Sequence, residues 1–159
     1  MSEDIPRGPA DSRRRAREAA LQMLYQAEVG HLSLPVVRTT FWMVGEDEPV
    51  DPPERMRAFA ERLVEGTLGT IDRIDALIEA HSANWRLARM PVVDRLVLRL
   101  AVYELLEPGD ADAAVIIDEA LELTKRFSTP EAAKFVNGVL DAIRRALEEG
   151  VDGPAAAPD

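Results

Sequence analysis

The 159-residue chain has no cysteine, which excludes disulfides and thiolate chemistry. It has no run of about 18 apolar residues, the length a membrane-crossing helix needs. Its start, Met1 to Asp11, is polar and Pro-containing, without the apolar stretch of a secretory signal. A cytoplasmic protein is expected. Catalytic equipment is sparse. The two histidines, His31 and His81, lie far apart. No segment reads convincingly as a strand, so no Gly-rich loop occupies the strand–loop–helix setting that cradles phosphate in enzymes. Glu28 and His31 have the Glu-x-x-His spacing of a carboxylate-bridged di-metal site, but such a site needs a second pair and further glutamates. Gly30 also breaks the helix inside the motif, so a polar helix end is the better reading. No catalytic residue, metal ligand or cofactor is expected.

What is present is an ordinary globular balance, 47% hydrophobic and 30% charged, in a chain long enough to bury a hydrophobic core. The net charge of −10 argues against nucleic acid as a partner. Charge is unevenly spread, however. Arg7, Arg13, Arg14, Arg15 and Arg17 fall in one short segment, opposed within it only by Asp11. A global charge says little about such a patch.

Hydrophobic spacing predicts an all-α chain. Residues 1–11 read as a disordered arm. Ser12 caps a first helix that runs to about Val29 on Ala16, Ala20, Met23, Leu24 and Ala27, and Gly30 stops it. Phe41, Trp42 and Met43 suggest a short buried helix, followed by an acidic loop from Gly45 to Pro53. A helix from Pro53 carries Met56, Phe59, Ala60, Leu63, Val64 and Leu68; after a break at Gly69 and Thr70 the next runs to about Ser82. Pro91 to Leu106 is apolar on most sides, which suits a central helix. Further helices are expected over Ala113 to Phe127 and from a Ser128/Glu131 capping box to about Glu149. Residues 12–149 are expected as a single helical domain, and 150–159 as a disordered Gly/Pro/Ala-rich tail.

Three features bear on function. Arg13, Arg14, Arg15 and Arg17 stand at a helix start, where the macrodipole disfavours cations by a few tenths of a kcal/mol each. A sequence shaped by stability alone would place acids there. Guanidinium forks grip phosphate oxygens in pairs, and helix-start amides add an anion site. Tyr25, about three turns beyond Arg14 and on nearly the same face, can stack on an unpaired base or sit at the edge of a core. Lys134 and Phe135 open the last helix, Lys134 exposed and Phe135 by default in the core. Asp118, Glu119 and Glu122 form an acidic face, read first as solvated with helix ion pairs, next as a docking surface for a basic partner, and last as a metal site. Trp42 and Trp85 are expected in the core.

Four stretches together resemble the NusB family: Arg13 to Gln26, Val93 to Leu105, Val115 to Ser128 and Lys134 to Asp141, in fitting order and spacing. The resemblance implies a compact bundle of about six to seven helices in two packed helical subdomains. It implies a non-catalytic factor that binds boxA RNA of ribosomal RNA leader transcripts with NusE, a small-subunit ribosomal protein, in the RNA polymerase antitermination complex. It places Arg13, Arg14, Arg15, Arg17, Tyr25, Lys134 and Phe135 near the RNA. Asp94 and Arg95 map to partner-facing or RNA-proximal positions. Glu119 and its helix map to the NusE-facing surface, with Glu122 beside it, in agreement with the acidic-docking reading because ribosomal proteins are basic. Monomer and homodimer both stay open. The alternative function is a helical protein–protein interaction module with an incidental basic patch. Similar helical domains are also fused to ribosomal RNA cytosine methyltransferases, but 159 residues leave no room for a nucleotide-cofactor domain.

Overall fold

The computed structural model describes residues 9–43, 53–83, 85–107, 109 and 111–150, with side chains from residue 12 onward. Among these it contains seven α-helices and no strand. They are α1 (Pro9–Val29), α2 (Leu34–Phe41), α3 (Glu54–Gly69), α4 (Ile71–His81), α5 (Val92–Leu106), α6 (Ala113–Phe127) and α7 (Pro130–Glu148), with a 3₁₀ turn at Leu87–Arg89 before α5. The chain divides into two compact units, Met1–Val64 and Glu65–Asp159.

In the first unit α1 starts at Pro9, three residues ahead of the expected Ser12 cap. Proline suits a first helical turn, since its missing N–H has no partner there and its φ is already helical. The buried residues of α1 include Ala16, Ala20, Leu21, Met23 and Leu24. His31, at φ 53°, follows Gly30 in the left-handed region and turns the chain toward α2. α2 replaces the short buried helix expected at Phe41–Met43. Val37 is its buried residue, Trp42 is its C-cap, and Met43 is 72% exposed.

The non-local reason for this placement is Glu61 on α3. Its carboxylate accepts from Arg57 Nε at 2.9 Å, from Trp42 Nε1 at 3.0 Å and from Arg38 Nε at 3.3 Å. Arg57 also lies 5.7 Å over the Trp42 ring. Trp42 is therefore half-buried in a polar anchor rather than in an apolar core. Burial pushes the Glu61 carboxyl up, but the bonds from Arg57 and Trp42 and the charges of Arg57 and Arg38 outweigh it and hold it below its ordinary value. The acidic loop expected over Gly45 to Pro53 lies, up to residue 52, outside the described residues.

In the second unit α5 is central. Leu96, Val97, Leu98, Leu100, Ala101 and Val102 are buried, and α4, α6 and α7 pack around the helix. Arg99 fixes α5 to α4 through a two-pronged bond to Asp75, at 2.8 and 3.0 Å. Gly66 lies so close to Tyr103 that a Cβ there would overlap the ring. α6 has the expected bounds, capped by Asp112, whose carboxylate accepts from the Val115 amide at 3.0 Å. The cap of α7 is Thr129, not Ser128; its hydroxyl accepts from the Ala132 amide at 3.0 Å. Pro130 sets this register, because a proline at the first helical position makes the residue before it the cap.

Candidate nucleic-acid interface

The arginines of α1 do not behave alike. With the helix starting at Pro9, Arg13 stands a full turn inside, so the macrodipole penalty expected for the cluster has largely decayed. The free amides of the first turn, at residues 10 and 11, precede the arginines. Arg14 is exposed, and Arg13 and Arg15 are half-buried.

Arg17 corrects the surface placement expected for it: it is 3% exposed. The cause is helical phase. Arg17, Ala20, Leu21 and Leu24 stand at i, i+3, i+4 and i+7, the inward stripe of α1. Its guanidinium lies 5.6 Å over the ring of Phe59 on α3. Arg13 lies over the same ring at 4.7 Å and Arg62 at 5.1 Å. Three guanidiniums around one quadrupole concentrate positive charge on this face of the first unit. Arg62 is exposed and was missed in the sequence reading; its signal was the i+3 spacing from Phe59. Tyr25 is 44% exposed, which suits a stacking surface better than a core edge.

The second unit carries the other candidates. Lys134 is exposed and Phe135 half-buried in the second turn of α7. The Phe135 ring meets Trp85 edge-on, centroids 6.1 Å apart. Trp85 is 53% exposed, against its expected place in the core. Asp94 is 4% exposed, so it is set inside the fold rather than on a partner-facing surface. Asp94, Val97, Leu98 and Ala101 repeat the inward spacing seen around Arg17, and a carboxylate in the first turn of α5 complements the helix dipole. Arg95 is half-buried and donates from NH1 to the Leu87 carbonyl at 3.2 Å. On α6, Asp118 and Glu122 are exposed and Glu119 is half-buried. Glu122 lies 3.9 Å from Lys125, a loose surface pair.

Among the described residues no group of three or more His, Cys, Asp and Glu side chains is placed to hold a metal ion, and no helix is long and apolar enough to cross a membrane.

The model of the NusB family matches residues 14–145. The chain belongs to the NusB family. Among its NusB relatives, the transcription antitermination protein of Sorangium cellulosum is 46% identical over 136 residues, covering 86% of this chain and 94% of that protein. The Bacillus subtilis protein of the same name is 42% identical, covering 86% and 98%. Among solved structures, Thermotoga maritima NusB superposes with a TM-score of 0.72 at 38% identity, covering 84% of this chain and 90% of that one. A structure of the antitermination factors NusB and NusE in complex with double-stranded RNA contains a chain that matches with a TM-score of 0.69 at 27% identity, covering 85% and 97%. The stretches that carry the likeness in the sequence thus lie in a NusB fold of α-helices.

Proposed function

We propose that this NusB-family protein is a non-catalytic, cytoplasmic transcription antitermination factor that binds boxA-type single-stranded RNA of ribosomal RNA leader transcripts together with NusE. The observation that carries this reading is the cationic face of the first unit. In a chain of net charge −10, Arg13, Arg17 and Arg62 converge on one ring, with Arg14 and Arg15 on the same helix as Arg13. Counterion release on phosphate binding rewards such local charge whatever the global sign. Arg13, Arg14, Arg15 and Lys134 grip phosphates, while Tyr25 and Phe135 take unpaired bases. Arg17 supports the face from beneath.

Glu119 and Glu122 on α6 face NusE, where an acidic surface suits a basic partner. Arg95 borders that contact. Through NusE and RNA the protein joins the RNA polymerase antitermination complex. A homodimer of the free protein is a second reading, favoured by the exposed apolar side chains Val29, Leu32 and Val36 around the α1–α2 turn; a sedimentation mass decides it.

The test is a titration of labelled boxA RNA, single- and double-stranded, with and without NusE. Tighter binding of the single strand in the presence of NusE is expected. Equal or better binding of the duplex contradicts the single-strand assignment. A folded Glu119→Lys variant should lose NusE affinity, and unchanged affinity removes α6 from that surface.

A further inference from the structure

Trp85 is an exposed aromatic with no part in the α1 cationic face. A tryptophan gains more from burial than most side chains, yet the chain holds this one out. Ala83, just past the end of α4, adopts φ 53°, a left-handed conformation that alanine seldom takes. Ser82 is buried and clamps Trp85 from two sides: the Trp85 amide donates to the Ser82 carbonyl at 3.1 Å, and the Ser82 hydroxyl donates to the Trp85 carbonyl at 2.6 Å. Two hydrogen bonds thus tie the backbone of Trp85 to the residue that ends α4. Phe135 on α7 buttresses it edge-on at 6.1 Å, with an interplanar angle of 64°. More than half of Trp85 still remains exposed. Arg86 and Arg89 are exposed on the same connection as Trp85, and Lys134 is exposed beside Phe135 in the chain, with Glu131 one turn earlier on α7.

We propose that Trp85, buttressed by Phe135, is a stacking platform for an unpaired base of the bound RNA. This rests on the RNA-binding reading above and adds to it a residue that takes a base by its face. An indole whose backbone is tied and whose ring is buttressed loses little freedom when a base lands on it, so the platform is pre-organised. Stacking is tolerant of base identity, because every base has a π-face. The flanking cations hold the phosphates on either side of the stacked base.

The test uses the full chain in a Trp42→Phe background, which leaves Trp85 as the sole tryptophan. Labelled single-stranded boxA RNA is titrated while RNA anisotropy and Trp85 emission are followed together. Saturable quenching of Trp85, with the same midpoint as the anisotropy change, is expected. Trp85→Ala should weaken binding roughly tenfold, with an unchanged salt slope, because stacking releases no counterions. Trp85→Tyr should restore most of the affinity. Circular dichroism and thermal unfolding check that both variants fold. RNA binding with no change in Trp85 emission, or unchanged affinity in a folded Trp85→Ala variant, overturns the platform and leaves the RNA-binding reading standing. Loss of NusE binding without loss of RNA binding in Trp85→Ala gives the surface to a protein partner and also overturns it. If the parent protein binds no RNA with or without NusE, the RNA-binding reading falls and the platform with it.

Discussion

In the second unit six side chains between Leu96 and Val102 are buried on one helix, with three other helices around it. In the first unit α3 carries two anchors for polar side chains instead: the Glu61 carboxylate, which ties in Arg38, Trp42 and Arg57, and the Phe59 ring, which gathers Arg13, Arg17 and Arg62. An apolar core tolerates most exposed charges near it. A face assembled from cations must have them positioned by aromatic rings and carboxylates, and its geometry then depends on protonation and salt. The first unit is thus shaped around charge, and the second around volume.

Changes in volume should therefore have the largest effect on stability. Leu98→Ala removes a fully buried side chain from α5 and should cost about 2–5 kcal/mol. Urea unfolding should show a lower midpoint with an unchanged slope. A loss under about 1 kcal/mol would mean that α5 is not the packed centre of the second unit.

The next effect lies in the first unit and depends on pH. The carboxyl of Glu61 is held below its ordinary value of 4.5 in the fold, so its stabilising contribution is complete above that pH and is lost as pH falls through the lowered value. Glu61→Gln should cost about 1 kcal/mol at neutral pH. It should also flatten the acid limb of the stability profile, read by Trp42 fluorescence in a Trp85→Phe background. An acid limb identical to the parent's would remove Glu61 as the anchor.

The smallest effect has the opposite sign. Ala83→Gly relieves the left-handed backbone after α4 and should stabilise by about 0.5–1 kcal/mol, seen as a small rise in Tm. A drop in Tm would show that the alanine side chain makes contacts that outweigh the strain.

Much of this architecture was legible because it is local. The bounds of α6 and the apolar run of α5 are written in consecutive residues. So, in retrospect, are two of the misplacements. Arg17 and Asp94 each fall on an inward stripe at i, i+3, i+4 and i+7, and residue type was weighed above phase. Other features lay beyond local reading. Trp42 is captured by a carboxylate on α3, and Trp85 is pinned by the turn after α4 and buttressed by α7. Apolar spacing cannot reveal a polar tether between distant segments. The cationic face was half legible: the α1 arginines announced it, whereas Phe59 and Arg62 join it only through the fold.

The most direct test of that face is the salt dependence of RNA binding for the parent and the Arg13→Glu/Arg15→Glu double variant. The expected result is weaker binding and a log–log salt slope shallower by about 1.4, at about 0.7 per phosphate contact on a single strand. A folded double variant that binds boxA RNA as tightly as the parent, with the same slope, contradicts the assignment of α1 as the phosphate-gripping helix.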